Sequence, residues 1–283
     1  MSNEEQIEYW NGEAGRRWAE QDAMMSRLLQ PVCEALLDHA DVADSRSALD
    51  IGCGGGSQSL MLAQRLGAGA RVLGVDISAP MLAIAEEKAA LTGEDAAGLE
   101  FLQADAANHA FEPGSFDLLF SRFGVMFFDD PTAAFSNLRG AVQDDGRMVF
   151  ACWQSLAEND WMRIPIMAAL QHLPKPEAPD PHAPGPFAFA DPDRLRGILE
   201  DAGFAGITIE PYRQEIRFGE AETLGANVRQ LAAIGPVGRL LVDQDEETQE
   251  KVYAAMEEAL APHYRDNSFW LPGAMWFVSA SPG

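Results

Sequence analysis

The sequence predicts an α/β fold, a doubly wound and largely parallel sheet of seven strands with N-terminal helices and helical insertions. Two observations predict it. Between residues 47 and 153, short and almost continuously apolar runs alternate with segments whose apolar residues recur at helical spacing. The alternation resumes near residue 191, after a proline-rich stretch. Such alternation is typical of parallel sheets, because each crossover helix covers a face of the strands that it connects.

The elements follow in chain order from the residue pattern. Residues 3–40 have apolar positions at helical spacing, and Pro31 predicts that two helices meet at this proline. The predicted strands are the β-type runs at 47–51, 71–77, 99–104, 116–121, 146–153, 206–218 and 274–280. The predicted helices between them, several with an acid or a proline at the start and a glycine at the end, are 57–67, 79–93, 130–142 and 191–204.

These elements predict a division of the chain into three kinds of segment. Residues 1–46 form an N-terminal helical segment. The α/β core is predicted to consist of residues 47–153, 191–218 and 273–281. Residues 154–190 and 219–272 are predicted to be insertions that form a lid over the substrate. Seven of the 17 prolines lie between residues 174 and 192, which indicates an irregular loop near the end of the first insertion.

Charge and composition narrow the expected partners. The formal net charge is −24, from 44 acidic and 20 basic residues, and such a field repels phosphate backbones and anionic lipid surfaces. No run of 18 apolar residues occurs, and three widely spaced cysteines suit neither a disulfide framework nor a metal site. The N-terminal stretch lacks the basic start and apolar core of a signal peptide. We therefore expect a cytoplasmic protein that binds a small molecule, with no nucleic acid, membrane or metal, and in an oligomeric state that the sequence does not indicate.

A glycine cluster follows the first predicted strand. In LDIGCGGGSQSL, residues 49–60, the glycines lie at the carboxyl end of that strand, where open α/β sheets bind their ligands. Glycines there let the backbone approach a ligand closely. A dinucleotide site needs the pattern G-x-G-x-x-G and an acid about 20 residues further on. Asp76 satisfies the acid, but Ser57 stands where the last glycine of that pattern is required.

The acid at the start of the cluster indicates the charge of the ligand. A dinucleotide would place its pyrophosphate over this loop, where the carboxylate of Asp50 is an unfavourable neighbour. An ammonium group would instead be attracted to Asp50, directly or through water. S-adenosylmethionine has an ammonium, a sulfonium and a ribose diol, and it has no phosphate. The acid therefore favours a cationic cofactor of this type.

Four segments in order resemble the motifs of the class I S-adenosylmethionine-dependent methyltransferases. LDIGCGGGS resembles the first motif, GVDIS the second, and LQADAANHAFEPGSFDLLFSRF the third and fourth. The resemblance is strongest to the branch of ubiquinone, menaquinone and many small-molecule methyltransferases. It implies a Rossmann-like fold, S-adenosylmethionine as cofactor, and methyl transfer to a small, partly apolar acceptor through oxygen, nitrogen or carbon. Gly55 departs from that branch, which often has threonine or serine there.

The same resemblance implies which residues hold the cofactor. Asp76 would hold both ribose hydroxyls and Ile77 would pack on the adenine, while Asp105 would accept from the adenine amino group and the Ala106 amide would meet a ring nitrogen. The first motif implies that Asp50, Gly52, Gly54 and Gly56 bind the cofactor. Ser121 and Trp18 are implied near its methionine end.

No residue is assigned to catalysis. If the acceptor must lose a proton, a base nearby would help, and the histidines His109, His172 and His182 are weak candidates. Arg122 is a candidate clamp for an anionic acceptor group, with a salt bridge to one of the many acids as the alternative. Three alternatives stay open: a protein that binds the cofactor without chemistry, a quinone-type C-methyltransferase, and a nicotinamide-dependent dehydrogenase, which the glycine spacing disfavours.

Overall fold

The computed structural model describes residues 3–93, 98–175 and 180–283. They divide into two compact units. The first, here called the core unit, consists of Met1–Trp153, Pro181–Tyr212 and Met275–Gly283. The second, here called the insertion unit, consists of Gln154–Asp180 and Arg213–Ala274.

The predicted doubly wound α/β architecture is confirmed. The strands run in the order β3-β2-β1-β4-β5-β8-β6, and the neighbours among β1 to β5 are parallel while β5 and β8 are antiparallel. The bounds of the strands are β1 Ser47–Ile51, β2 Arg71–Asp76, β3 Leu99–Gln103, β4 Phe116–Arg122, β5 Val142–Trp153, β6 Phe204–Phe218, β7 Tyr264–Arg265 and β8 Ser268–Pro282. The path itself has the seven predicted strands, and the two-residue β7 adds an eighth in the described chain.

The extra strand, β7, forms a short hairpin with the start of β8 within the insertion unit. Tyr264 and Arg265 pair antiparallel with Phe269 and Ser268. Asp266 and Asn267 form the turn with positive φ angles of 50° and 57°, which matches the right-handed twist of the flanking strands. The run of polar residues here gave no strand pattern, so the sequence prediction missed it.

The helices follow the predicted order with small shifts of their ends. In the core unit they are α1 Asn3–Asn11, α2 Glu13–Ala40, α3 Ser57–Leu66, α4 Ala79–Thr92, α5 Pro131–Ala141 and α7 Pro192–Asp201. In the insertion unit they are α6 Asp160–Ala169, α8 Leu224–Ile234, α9 Pro236–Leu241 and α10 Glu246–Leu260. Side-chain caps set several starts: Asp130 accepts from the Ala133 amide at 3.0 Å, and Asp191 accepts from the Asp193 amide at 2.9 Å.

The central strands are buried on both faces, as their apolar runs predict. Leu49 in β1 and Leu118, Leu119 and Phe120 in β4 are fully buried. Helices of the core unit cover this sheet and hold its strands in place. The loops that follow the strands therefore start from fixed positions at the carboxyl edge of the sheet.

The prediction that Pro31 divides two helices is wrong. The break lies at Gly12, and α2 continues through Pro31. A proline lacks the amide that would bond four residues back, but the buried stripe of α2 runs past it on both sides, through Leu29, Val32 and Leu36. Burial of that stripe outweighs the cost of one missing hydrogen bond.

We expect Pro31→Ala to stabilise the protein. Pro31 is exposed, so the substitution removes no buried surface, and it restores an amide that can bond to the Arg27 carbonyl. The free energy of unfolding should rise by about 1–3 kcal/mol, measured by chemical denaturation. Gln30→Ala, at the exposed neighbouring position, is the control and should change it by less than about 0.5 kcal/mol. A Pro31→Ala variant that is less stable than the wild type would contradict this account.

The two units differ in detail from the predicted insertions. Residues 181–190 cluster with the core unit, where the Trp276 indole donates to the Ala190 carbonyl at 3.0 Å and the Gly185 amide donates to the Met126 carbonyl at 3.0 Å. Residues 213–218 cluster with the insertion unit. The function of the insertions as a lid stays a prediction.

In the described ranges, no helix has both the length and the apolar character that a bilayer crossing requires.

Candidate functional site

The glycine loop between β1 and α3 takes a conformation that side chains resist. Gly52, Gly54 and Gly56 all have positive φ, at 68°, 54° and 74°. The amide of Gly52 donates to the Val75 carbonyl at 2.9 Å, so the loop is anchored to the end of the neighbouring strand β2. An added Cβ at Gly52 would lie 2.7 Å from the Cα of Gly124, whereas at Gly54 it would meet only the Met81 methyl at 3.4 Å. The backbone at Gly54 is therefore the more open part of the loop.

Asp76 lies at the end of β2, directly beside the glycine loop. Its carboxylate accepts hydrogen bonds from the Gly54 amide at 2.8 Å and from the Ser78 amide at 2.9 Å. Burial raises the pKa of Asp76 above its ordinary value, while the amides of Ser78 and Gly54 oppose that rise. These bonds orient the carboxylate beside the loop, and a carboxylate has four lone-pair sites in all, so further donors such as a ribose diol can be accepted.

Asp50 is fully buried at the end of β1. Ser59 donates to one carboxylate oxygen at 2.5 Å and Gln58 donates to the other, so both oxygens are held by the first turn of α3. Burial raises the pKa of Asp50 to about 6, and the bonds from Ser59 and Gln58 counteract it. The carboxylate thus ties the loop to α3, and this burial favours the water-mediated or long-range form of its predicted attraction to a ligand ammonium.

The predicted adenine residues lie in a turn after β3. Asp105 accepts from the Ala107 amide at 3.0 Å and from the Asn108 side chain at 2.7 Å. The carbonyl of Ala106, whose side chain is buried, accepts from Asn137 of α5 at 3.1 Å. Hydrogen bonds accepted by Asp105 and by the Ala106 carbonyl therefore hold this turn in place.

Ile77, the other predicted adenine residue, follows β2 and is tied to the N-terminal helices. Asn11 at the end of α1 donates to the Ile77 carbonyl at 2.8 Å and accepts from the Ala79 amide at 3.0 Å. The Ser78 hydroxyl donates to the Trp10 carbonyl at 2.8 Å. Sequence reasoning missed Asn11. Its position just before the Gly12 break is the one signal that could have indicated a residue with a non-helical partner.

The end of β4 is joined to the glycine loop through Ser121. Its hydroxyl donates to the Ile51 carbonyl at 2.7 Å and accepts from the Gly124 amide at 3.2 Å. Arg122 is the last residue of β4 and lies in the strand rather than after it. Its guanidinium donates to the Leu29 carbonyl of α2 at 3.4 Å, and its charge acts on the buried Asp50. Its predicted function as a clamp on an anionic acceptor stays a prediction.

Aromatic side chains surround the same edge of the core unit. The ring of Trp10 lies 6.0 Å from that of Trp18 and 5.6 Å from that of Phe127. Phe123 stacks on Trp153 with ring centroids 4.1 Å apart, and Phe123 has a φ of 67°, which is uncommon for a bulky side chain. Trp10 therefore lies between Trp18 and Phe127, a residue that follows β4. Strained backbone of this kind is concentrated at functional sites.

The three candidate histidines lie in different surroundings. The His109 ring packs against Phe111 with centroids 4.7 Å apart, after the Asp105 turn. His172 is exposed in the insertion unit, and His182 is exposed in the core unit. Among the residues that the structure describes, no group of three or more histidine, cysteine, aspartate or glutamate side chains is placed to hold a metal ion.

The side chain of Asp22 in α2 explains why residue 55 is a glycine. An added Cβ at Gly55 would lie 2.0 Å from an oxygen of the Asp22 carboxylate. Sequence reasoning missed Asp22. The signal was present, because Asp22 lies on the same helical stripe as the apolar residues Met25 and Leu29, where an acid must be buried with a partner.

Known proteins match this chain at its motifs and in its fold. A family model described as a methyltransferase domain matches residues 49–150. Nocamycin O-methyltransferase of Saccharothrix syringae is 28% identical over 211 residues, which are 72% of this chain and 75% of that protein. A demethylmenaquinone methyltransferase of Thermus thermophilus is 42% identical over 103 residues, which are 36% of this chain and 44% of that protein.

A solved structure has the same fold. Phosphoethanolamine N-methyltransferase 2 of Haemonchus contortus, solved with phosphomonomethylethanolamine and S-adenosylhomocysteine, aligns with a TM-score of 0.53 at 18% identity. The alignment covers 89% of this chain and 53% of that one. The chain therefore spans less than two thirds of both that protein and the Thermus protein, but three quarters of the Saccharothrix protein.

The site geometry fits the cofactor of these enzymes. The positive-φ glycines give a loop with an open backbone at Gly54, and the Asp76 carboxylate beside it is oriented by two amides. Methyl transfer is the chemistry that S-adenosylmethionine supplies when bound. Residues 49–150 therefore match a methyltransferase domain, and the chain is similar to the class I S-adenosylmethionine-dependent methyltransferases.

Proposed function

We propose that this enzyme transfers the methyl group of S-adenosylmethionine to a small, partly apolar organic acceptor with an oxygen, nitrogen or carbon nucleophile. The observation that carries the proposal is a pair of aromatic groups in the core unit: Trp10 with Trp18 and Phe127, and Phe123 stacked on Trp153. Phe123 precedes Gly124, whose backbone lies against Gly52 of the glycine loop. Ser121 joins the strand that precedes Phe123 to the loop, so the aromatic residues are held near the cofactor residues. Apolar walls with few polar groups are typical of small-molecule sites.

Positioning is the main contribution that we assign to the protein. Methyl transfer from a sulfonium is an in-line displacement, and aligning the acceptor with the methyl carbon can supply several kcal/mol. The positive charge disperses during the reaction, so a dry and shaped pocket favours it. We assign no side chain as a base. His109, His172 and His182 stay weak candidates.

Two further candidates are retained. A quinone-type C-methylation is supported by the 42% identity to a demethylmenaquinone methyltransferase over the motif region. A protein that binds the cofactor without chemistry is the second, and the complete set of cofactor residues disfavours it. We place the reaction in the cytoplasm, because three buried free cysteines suit a reducing compartment.

Ligand-dependent melting tests the cofactor assignment. S-adenosylmethionine and S-adenosylhomocysteine at 100 times their Kd should raise the stability of the fold by about 2.7 kcal/mol, while NAD and NADP should not. Stabilisation by NAD or NADP alone would overturn the proposal.

Transfer of a labelled methyl group then tests the acceptor class. The assay uses a panel of hydroxylated aromatics, reduced quinones and small amines, with mass spectrometry of each product to locate the methyl group. We expect transfer to an acceptor with an apolar part, through whichever of the three atoms reacts. Transfer only to amines that lack an apolar part would contradict the proposal, and tight cofactor binding without any transfer would favour the binding protein.

A further inference from the structure

A buried ion pair lies against the glycine loop without any function assigned to it. Asp22 of α2 is 7% exposed, and Lys88 of α4 donates to its carboxylate at 2.5 Å. The side chain of Lys88 is 27% exposed, so the pair is largely removed from water. Separating such charges is costly, because the partner that remains is a desolvated charge without its counterion.

The pair is joined to the first residue of α3. Lys88 also donates to the Ser57 hydroxyl at 2.7 Å, and that hydroxyl lies 2.7 Å from the Ser26 hydroxyl of α2. Ser57 directly follows the glycine loop. Three helices therefore meet at one polar cluster, formed by Asp22, Lys88, Ser57 and Ser26, at the point where the loop becomes α3.

The carboxylate touches the loop itself. The Asp22 oxygen occupies the space that a side chain at Gly55 would need, at 2.0 Å from the position of its Cβ. Gly55 is therefore required by Asp22 rather than by its own φ, which is not among the positive angles of the loop. The Asp22–Lys88 ion pair can therefore pack against the loop only because residue 55 is a glycine.

We propose that Asp22 and Lys88 are positioning residues for the cofactor, and that their balanced charges hold the glycine loop in a site that accepts a cation. The ligand has one positive charge more as S-adenosylmethionine than as S-adenosylhomocysteine, because only the former has a sulfonium. Loss of the Asp22 charge leaves Lys88 uncompensated beside the loop and disfavours the sulfonium form. Loss of the Lys88 charge does the reverse. This inference rests on the glycine loop being the seat of the cofactor.

The test measures the Kd of both ligands by calorimetry for the wild type, Asp22→Asn and Lys88→Met. The ratio of the Kd for S-adenosylmethionine to the Kd for S-adenosylhomocysteine should rise about three- to tenfold in Asp22→Asn and fall by about the same factor in Lys88→Met. A purely structural function would weaken both ligands alike. Ratios within about twofold of the wild type in both variants, with the wild type binding normally, would overturn the inference.

Two further variants keep the test decisive. Glu247→Gln and Lys251→Met remove the same charges from an exposed pair in α10 and should leave the ratio unchanged. If a single variant fails to fold, the double variant Asp22→Asn/Lys88→Met restores neutrality, and its ratio should lie within about twofold of the wild type. A ratio displaced as far in the double variant as in a single one would also contradict the inference. A wild type that binds neither ligand would instead reject the cofactor assignment.

Discussion

Asp76→Ala is expected to weaken binding of S-adenosylhomocysteine by at least about 100-fold. The carboxylate accepts from the amides of Gly54 and Ser78, and the resemblance assigns both ribose hydroxyls to it. Hydrogen bonds to a charged group contribute about 1.5–3 kcal/mol each, and the loss of two accounts for a change of this size. The substitution also leaves the Gly54 amide without its acceptor, so the loop loses one of its anchors.

The binding is measured by calorimetry, with circular dichroism to verify the fold. Asp76→Asn keeps the shape but replaces one acceptor oxygen with a donor, so it should lie between the wild type and Asp76→Ala. Glu87→Gln removes one negative charge from the exposed surface of α4 and should leave the Kd unchanged. If Asp76→Ala folds and binds within about threefold of the wild type, the ribose assignment is wrong.

The fold could be predicted because its signals are local. Buried parallel strands are almost continuously apolar, as at Leu118, Leu119 and Phe120 of β4, and the caps at Asp130 and Asp191 mark helix starts within a few residues. The motif residues were likewise found because they follow strand ends, and parallel strands place those ends at one edge.

The parts that could not be predicted depend on contacts between distant segments. Pro31 predicts a break between two helices. The helix continues through it, because the buried stripe of α2 on both sides of Pro31 stabilises the helix. Gly55 has no local reason, because its neighbour is the carboxylate of Asp22, more than 30 residues earlier in the chain. Asn11 donates to the Ile77 carbonyl across 66 residues of the chain. The helical stripe indicates that Asp22 is buried with a partner, but the identity of such a partner follows from tertiary packing and not from the periodicity of a single sequence.

Gly52→Ala is expected to destabilise the fold strongly, by about 3–5 kcal/mol, whereas Gly54→Ala should cost only about 1 kcal/mol. Both residues have positive φ, so both variants bear the backbone strain of a side chain in that region. Only at Gly52 does the new Cβ meet another backbone, the Cα of Gly124 at 2.7 Å. The Gly124 amide donates a hydrogen bond to the Ser121 hydroxyl, which in turn donates to the Ile51 carbonyl, so neither strand end can move aside without breaking the link between β1 and β4.

Chemical denaturation of the two variants without ligand separates strain from clash, because the strain is common to both. At Gly54 the new Cβ meets the terminal methyl of Met81 at 3.4 Å, and a flexible methionine can shift at little cost. A Gly52→Ala variant no less stable than Gly54→Ala would mean that the approach of Gly52 to Gly124 is loose. The inference that the glycine loop is held rigidly at the cofactor site would then be wrong, since that close approach is what joins the loop to the aromatic residues after β4.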